Sequence, residues 1–430
     1  MGAARWATAL IVAALALVGT ALVSAQSRAL AAFQNAAGQL VVTSADGSYR
    51  WVVTNPGETV SPALGFAWAQ GSDRLFFAID QGGEVSLRAA DVPAQTITEL
   101  GRVPNASLTG GEWTSDQSGV LVATGDRLTY YPLSGQAVDI LAGQSGLSLR
   151  TPAADGRFGW RALSPDARGL VYRDAGGSAV LLPLTGGVPL PLAAGADPSL
   201  AGGLWTDDGG LVAVSGANQI AAVSPAVGAV AQVAGASAVP PAPLIWRPGT
   251  STLIYFDGAG AVRAADLTCL RAGPCDPFAA SVALLPASAH DLRIVNDTLV
   301  FIDGDAVNAL PLSCLSGGAC TPTLAAGAAA PGTGLDVRAG LLAYTAYTAN
   351  PNDPADREAR VLDVGCLSAG GCTPRTVAAG AQAGRLSPDG RSLVTLSTAG
   401  LTMIDLATGA QMPLSDPAPG QTARSARWNG

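Results

Sequence analysis

The stretch Arg385–Leu396, RLSPDGRSLVTL, limits the fold more than any other part of the chain. Ser387-Pro388-Asp389-Gly390 suits a tight turn. Serine is favoured at the first position, proline fixes φ at the second, and glycine fits the fourth. Leu393, Val394 and Leu396 follow as a short β-prone run with little polar relief, and a strand that is apolar on both sides expects cover on both faces. A turn at Ala399-Gly400, a strand Leu401–Leu406, a turn at Ala407-Thr408-Gly409 and a strand Gln411–Leu414 come next. Four short strands in about 35 residues, joined by tight turns, make a meander and not a helical unit.

The pattern recurs in worn form along the whole chain. Aligned on the turn before a two-sided apolar strand, the copies are Trp68…Leu75-Phe76-Phe77, Trp113…Leu121-Val122, Leu163-Ser164-Pro165-Asp166…Leu170-Val171-Tyr172, Trp205…Leu211-Val212, Trp246…Leu253-Ile254-Tyr255 and Leu292…Leu299-Val300-Phe301. A weaker copy, Val337…Leu342-Ala343-Tyr344, precedes the sharp one. Their spacing of roughly 40 to 50 residues is the length of a four-stranded propeller blade. The chain closes on Arg427-Trp428-Asn429-Gly430, the first half of a repeat, while Leu30-Ala31-Ala32-Phe33 reads as a second half. Joined end to end, Trp428 and Leu30 fall at nearly the spacing of Trp205 and Leu211. These observations predict an all-β fold, a single closed β-propeller of eight or nine four-stranded blades over residues 26–430. The C-terminal strand would pair into the first blade and remove exposed sheet edges. Nine units are counted, or eight if one of the two weak copies, around Leu292 and Val337, whose leading strands lack the tryptophan, is not a blade.

The repeats resemble the WD40-like repeats of the TolB propeller (PD40) family, whose pattern is W/L-S-P-D-G-x-x-L. Ser387–Leu393 matches it closely, and Ser164–Leu170 matches with Ala167 in place of glycine. The other copies keep only the Trp or Leu, the turn and the apolar strand. The resemblance implies an extracytoplasmic β-propeller, often a binding platform in envelope assemblies or a module attached to a peptidase.

Composition excludes several classes. Apolar residues make up 48% of the chain and charged ones 13%, so the chain has the means to bury a core and is not disordered. Its 24 basic residues are all arginine, against 32 Asp and Glu, for a formal net charge of −8. Without clustered cations, neither nucleic acid nor an anionic membrane surface is expected as a partner. At the N-terminus, Arg5 precedes an apolar run Ala7–Leu22, and Val23-Ser24-Ala25 offers small residues to a signal peptidase. Residues 1–25 therefore read as a signal peptide cleaved after Ala25, with an uncleaved membrane anchor as the alternative. Either way the remainder is exported, to the periplasm or the exterior.

All six cysteines fall in one repeated spacing: Cys269-x5-Cys275, Cys314-x5-Cys320 and Cys366-x5-Cys372, each after the third strand of its blade. Six cysteines allow 15 pairings. The repeated local spacing selects the three pairs within the loops, and in an exported protein these form disulfides. Chain entropy for loops this short gives about 2 kcal/mol each. A metal site would need ligands converging from different blades, and the spacing is not C-x-x-C, so no metal or redox role is expected.

Candidate chemistry is sparse. His290 is the only histidine, and no G-x-S-x-G occurs. Ser44-Ala45-Asp46-Gly47-Ser48-Tyr49-Arg50-Trp51 comes near the Asp box S-x-D-x-G-x-x-W but reads more simply as a hairpin turn. Asp80, Asp174, Asp257 and Asp303 each follow a second strand before a glycine-containing turn, on the propeller face that also carries the connections between blades. They read as turn residues, or as an acidic rim for a cation or basic partner. In the blade of Leu342 a polar insertion, Thr348–Glu358, replaces the short turn on that same face. Its Asn350, Asn352, Asp353, Asp356 and Arg357 form a candidate binding loop, since protruding loops on rigid scaffolds often carry recognition. The expectation is an exported, non-catalytic scaffold, monomeric and without a cofactor, that binds an envelope or extracellular protein. The alternative is a propeller hydrolase acting on a glycan or lactone at the central channel.

Overall fold

The computed structural model describes residues 29–430 except 70, 144–145, 150–159, 185–187, 196–202, 217–218, 236–243, 278–280, 318, 370–371, 417–421, 423–424 and 430. The expected leader, residues 1–25, lies outside the described residues. Among those described, no helix is long and apolar enough to cross a membrane.

Nine antiparallel sheets follow one another along the chain as the blades of a ring. Blade 1 combines residues 30–52 with 427–428, and blades 2 to 9 span 59–104, 108–142, 147–193, 203–235, 245–285, 289–326, 335–379 and 381–415. The count settles at nine. Within most blades four strands run from the channel outward in chain order.

The two-sided apolar second strands explain the ring. In blade 2, Leu75, Phe77 and Ile79 pack toward blade 1, while Phe76 and Ala78 pack toward blade 3. In blade 9, Leu393 meets blade 8 and Val394 meets blade 1. The described core therefore falls into nine clusters, each between two neighbouring blades. No blade buries its own faces alone, as expected for a repeat fold.

Closure uses the C-terminal strand. Ala31 pairs with Trp428 and Ala32 with Arg427. Asn429, almost wholly buried, locks the join: its amide N–H donates to the Leu30 carbonyl, its Oδ1 accepts from the Leu30 N–H, and its Nδ2 donates to Asp73 in blade 2.

Five blades carry a tryptophan at the end of the innermost strand, and each indole N–H donates to a backbone carbonyl one or two residues ahead of the matching Trp or Leu of the preceding blade. The pairs are Trp68 to Arg427 (2.8 Å), Trp113 to Ala67 (3.0 Å), Trp205 to Arg161 (3.2 Å), Trp246 to Leu204 (2.9 Å) and Trp428 to Arg385 (3.1 Å). Blades 4 and 9 have Leu163 and Leu386 at this place. There the preceding blade supplies a carboxylate instead. Glu112 accepts from the Ala162 and Leu163 N–H groups, and Asp336 accepts from the Leu386 N–H.

Three blades depart from the simple pattern. Blade 2 has a broken inner strand, Thr59–Val60 and Phe66–Trp68, interrupted where Pro62 lacks a donor and Gly65 turns at φ +67°. Blade 4 is three-stranded, and its innermost position is held by the bridges Ser148–Arg173 and Leu163–Leu170. Just before that point Trp160–Arg161 pairs instead with the innermost strand of blade 5, Gly203–Trp205. Gly203 itself is crowded from the side of its own blade, since a Cβ on it would fall 2.3 Å from Val212 Cγ2.

The turn chemistry holds where the sequence repeats. Ser387 Oγ donates to Asp389 and accepts from the Ser392 N–H, and Ser164 with Asp166 and Thr206 with Asp208 repeat the arrangement. Gly390 and Gly209 take φ +69° and +70° at the last turn position, and Ala167 is forced to +57° at the equivalent one.

Two stability changes follow. Trp113→Phe removes the donor from the Ala67 carbonyl and opens space beside Phe76, and is expected to cost about 2–4 kcal/mol in denaturant unfolding. A loss below about 0.5 kcal/mol would show that the indole bond is not a structural tie. Ala167→Gly relieves the left-handed backbone and is expected to stabilise by about 0.5–1 kcal/mol in the same assay, after the entropy of the unfolded glycine is offset.

Candidate functional site

The two faces of the ring differ in what they present. Turns between first and second strands, and the loops between third and fourth strands, lie on one face. Turns between second and third strands and the connections between blades lie on the other.

On this second face the four turn aspartates stand in separate blades. Asp80 accepts from the Gly82 N–H and from Asn105, Asp174 from the Ser178 N–H, and Asp257 from the Ala259 and Ala261 N–H groups. Asp303 ends its strand opposite Ala289. Three of the four therefore cap their own turns. In the loop after Tyr347, Asp356 accepts from the Asn350 N–H, Asn350 from the Asn352 N–H, and Asp353 from the Ala355 N–H at the start of a short 3-10 turn, Pro354–Asp356. The loop is thus folded on itself. Arg357 opens the following strand opposite Tyr347, whose hydroxyl donates to Asp305; that bond raises its phenol above the ordinary range.

The near-miss Asp box also resolves into a turn. Ser44, Asp46 and Tyr49 repeat the bonding of the Ser387 turn, with the Tyr49 N–H donating to Ser44 Oγ at 2.9 Å. His290 is the second residue of the innermost strand of blade 7, its Nδ1 3.3 Å from the Ser288 carbonyl.

The first face carries the three disulfides, Cys269–Cys275, Cys314–Cys320 and Cys366–Cys372, in neighbouring blades 6, 7 and 8. The bridges staple single loops. Beside each bridge a leucine enters the interface with the preceding blade: Leu270 toward blade 5, Leu315 toward blade 6 and Leu367 toward blade 7. Ion pairs span the same seams. Arg271 reaches Asp208 of blade 5 at 2.8 Å, and Arg247 of blade 6 reaches Asp297 of blade 7 at 2.6 Å.

At the axis on this face lies a cavity of about 550 Å³. It is lined by Ser115 and Pro165 on turns of blades 3 and 4, by Thr206 and Asp207 on the turn of blade 5, and by innermost-strand residues of blades 5 to 7. Residues of five consecutive blades meet only where the blades converge. Leu204, Ile245, Leu292 and Ile294 supply the apolar wall, and Trp205 and Trp246 stand in it with their indole N–H groups already bonded. Arg161 and Arg293 add positive charge. Arg293 pairs with Asp291 at 3.7 Å across a bulge in which Asp291 takes φ +55°. A second cleft of about 610 Å³ adjoins it between blades 5 and 6, sharing Thr206, Asp207 and Trp246. The volume of the axial cavity falls in the range of small-molecule pockets.

Among the described residues no three His, Cys, Asp or Glu side chains gather as a metal site. None of the predicted site residues lines the axial cavity. Sequence reading missed both Arg161 and Arg293: Arg161 lies ahead of the alignable repeat, and Arg293, next to the aligned Leu292, is set on the wall by a bulge that the sequence does not mark.

No family model matches the sequence, and no curated protein does. Among solved structures, the chain is similar to one described as the eukaryotic initiation factor, at 10% identity and a TM-score of 0.56, covering 94% of this chain and 99% of that one. It is also similar to the C-terminal WD40 domain of Sif2, at 10% identity and a TM-score of 0.44, covering 80% and 95%. TolB from Acinetobacter baumannii matches at 15% identity and a TM-score of 0.35, covering 75% and 70%. At 10% identity the first is a likeness of fold alone.

The seam between blades 5 and 6 gives a pH prediction. Hydrogen bonds from Arg271 and then Thr206 hold Asp208 well below the usual carboxylate range. A depressed carboxylate contributes stability that is complete above its unfolded value near pH 4 and is lost as pH falls toward the folded one. The pair is largely solvent-exposed, so Asp208→Asn is expected to cost only about 0.5–1 kcal/mol at neutral pH. The gap to wild type should close as unfolding is followed downward from pH 4, and a gap independent of pH would remove the electrostatic account.

Proposed function

We propose that the chain is an exported, non-catalytic binding propeller whose ligand or partner segment enters the axial cavity on the face of the disulfide loops. The observation that carries this reading is the cavity itself: rigid, mixed apolar and polar, and built by five blades at once. Its tryptophans are pinned by bonds to neighbouring strands, so little order must be acquired on binding. Its ionisable groups, Arg161, Arg293 and Asp207, offer charge and hydrogen bonds but no paired acid and base. Export is supported by the signal-like residues 1–25 and by three disulfides, which persist in oxidising compartments. The resemblance of Ser387–Leu393 to TolB-type repeats fits a scaffold role beside an envelope or extracellular protein. The turn aspartates and the loop of residues 348–358 are the competing surface, on the opposite face.

One experiment separates the two faces. Affinity capture from native envelopes would compare the intact protein, a Ser115→Trp variant that plugs the cavity mouth, and a variant lacking residues 349–358. Retention of a specific partner by the deletion and its loss with Ser115→Trp is the expected result. The reverse outcome moves the site to the polar loop.

A further inference from the structure

From the axial cavity we infer that its ligand is an organic monocarboxylate with an apolar body, held by Arg161. This deepens the binding reading above and rests on it.

Arg161 is fixed through its backbone. Its strand pairs with Gly203–Trp205, and its carbonyl accepts the Trp205 indole N–H, so the backbone is tied at two points beside the cavity. Its side chain is half-buried and has no hydrogen-bond or ion-pair partner among the described residues, although the chain is rich in carboxylates. Withdrawing a guanidinium from water without an acceptor is costly, and a carboxylate matches its fork with two parallel bonds.

The other wall residues narrow the ligand class. Arg293 is mostly buried and already pairs with Asp291, so it lends field more than a free fork. Ile245, Ile294 and the edges of Trp205 and Trp246 ask for an apolar or aromatic body. Asp207 stands exposed at the mouth, where it repels a second negative charge. A polyanion such as phosphate or citrate therefore fits worse than a single carboxylate.

Saturation-transfer NMR on the full mature chain tests this with indole-3-acetate, its neutral amide indole-3-acetamide, citrate and inorganic phosphate. The acid should bind at least tenfold tighter than the amide, and citrate and phosphate should bind more weakly still. Arg161→Gln should remove the preference for acid over amide while the thermal midpoint is unchanged, and Arg161→Lys should keep part of it. Asp207→Asn should strengthen citrate binding by a larger factor than indole-3-acetate binding, since the lost repulsion scales with the charge of the ligand. If the amide binds as well as the acid and both are lost in Ser115→Trp, the carboxylate inference fails and the binding reading stands. Tighter binding of phosphate or citrate than of indole-3-acetate makes the site a simple anion hole and overturns the inference. If no probe shows binding sensitive to Ser115→Trp, both readings fall.

Discussion

The ring depends on how the innermost strands satisfy their free edges. A strand facing the channel leaves N–H and C=O groups with no partner strand, and such an edge invites pairing or costs free energy if buried dry. Here the neighbouring blade deals with the edge by one side chain. At five seams the incoming tryptophan donates its indole N–H to an edge carbonyl while its rings join the core between blades. Where the incoming residue is Leu163 or Leu386, the polarity is reversed, and Glu112 or Asp336 on the preceding blade accepts edge N–H groups. Both carboxylates stand immediately before the position that carries tryptophan or its replacement in their own blades. One geometric need is thus met by two chemistries from the two sides of a seam.

That constraint also accounts for where the cavity forms. At most of the tryptophan seams the indole bonds the residue just before the preceding blade's own Trp or Leu. Trp205 instead bonds Arg161, two residues before Leu163. The shift follows from blade 4, whose inner position is held by isolated bridges while Trp160–Arg161 lies along blade 5. The irregular seam places Arg161 on the cavity wall. Blade 7 is irregular too, because the bulge at Asp291 sets Arg293 on the same wall.

How much of this could be read beforehand follows from what repeats. Period, two-sided second strands, closure by Trp428 and the three cysteine pairs were legible, since each is a local pattern copied along the chain. The faint blades were faint for a definable reason. Blade 7 turns through Asn296-Asp297 and blade 8 through Ala339-Gly340, all with positive φ, so two-residue hairpins replace the Ser-Pro-Asp-Gly turn. Asp80, Asp174 and Asp257 looked eligible for a rim, yet their oxygens are engaged by their own turns. The axial site was illegible because it is made by departures from the repeat. Arg161 has no counterpart in any aligned copy, and its neighbour at the cavity comes from a strand more than 130 residues away.

Charge is also distributed unevenly between ring and axis. The chain carries 32 acidic residues against 24 arginines. Yet its described innermost strands carry Arg161, Arg293, Arg338, Arg385 and Arg427 against Glu112, Asp291 and Asp336. Two of those three carboxylates are spent on backbone N–H groups of the next blade. Beyond a Debye length of about 8 Å an approaching body meets a screened, weakly negative shell. Along the described innermost strands the balance of charged residues is reversed. Spending carboxylates on the seams between blades thus leaves the described inner strands richer in arginine than the chain as a whole.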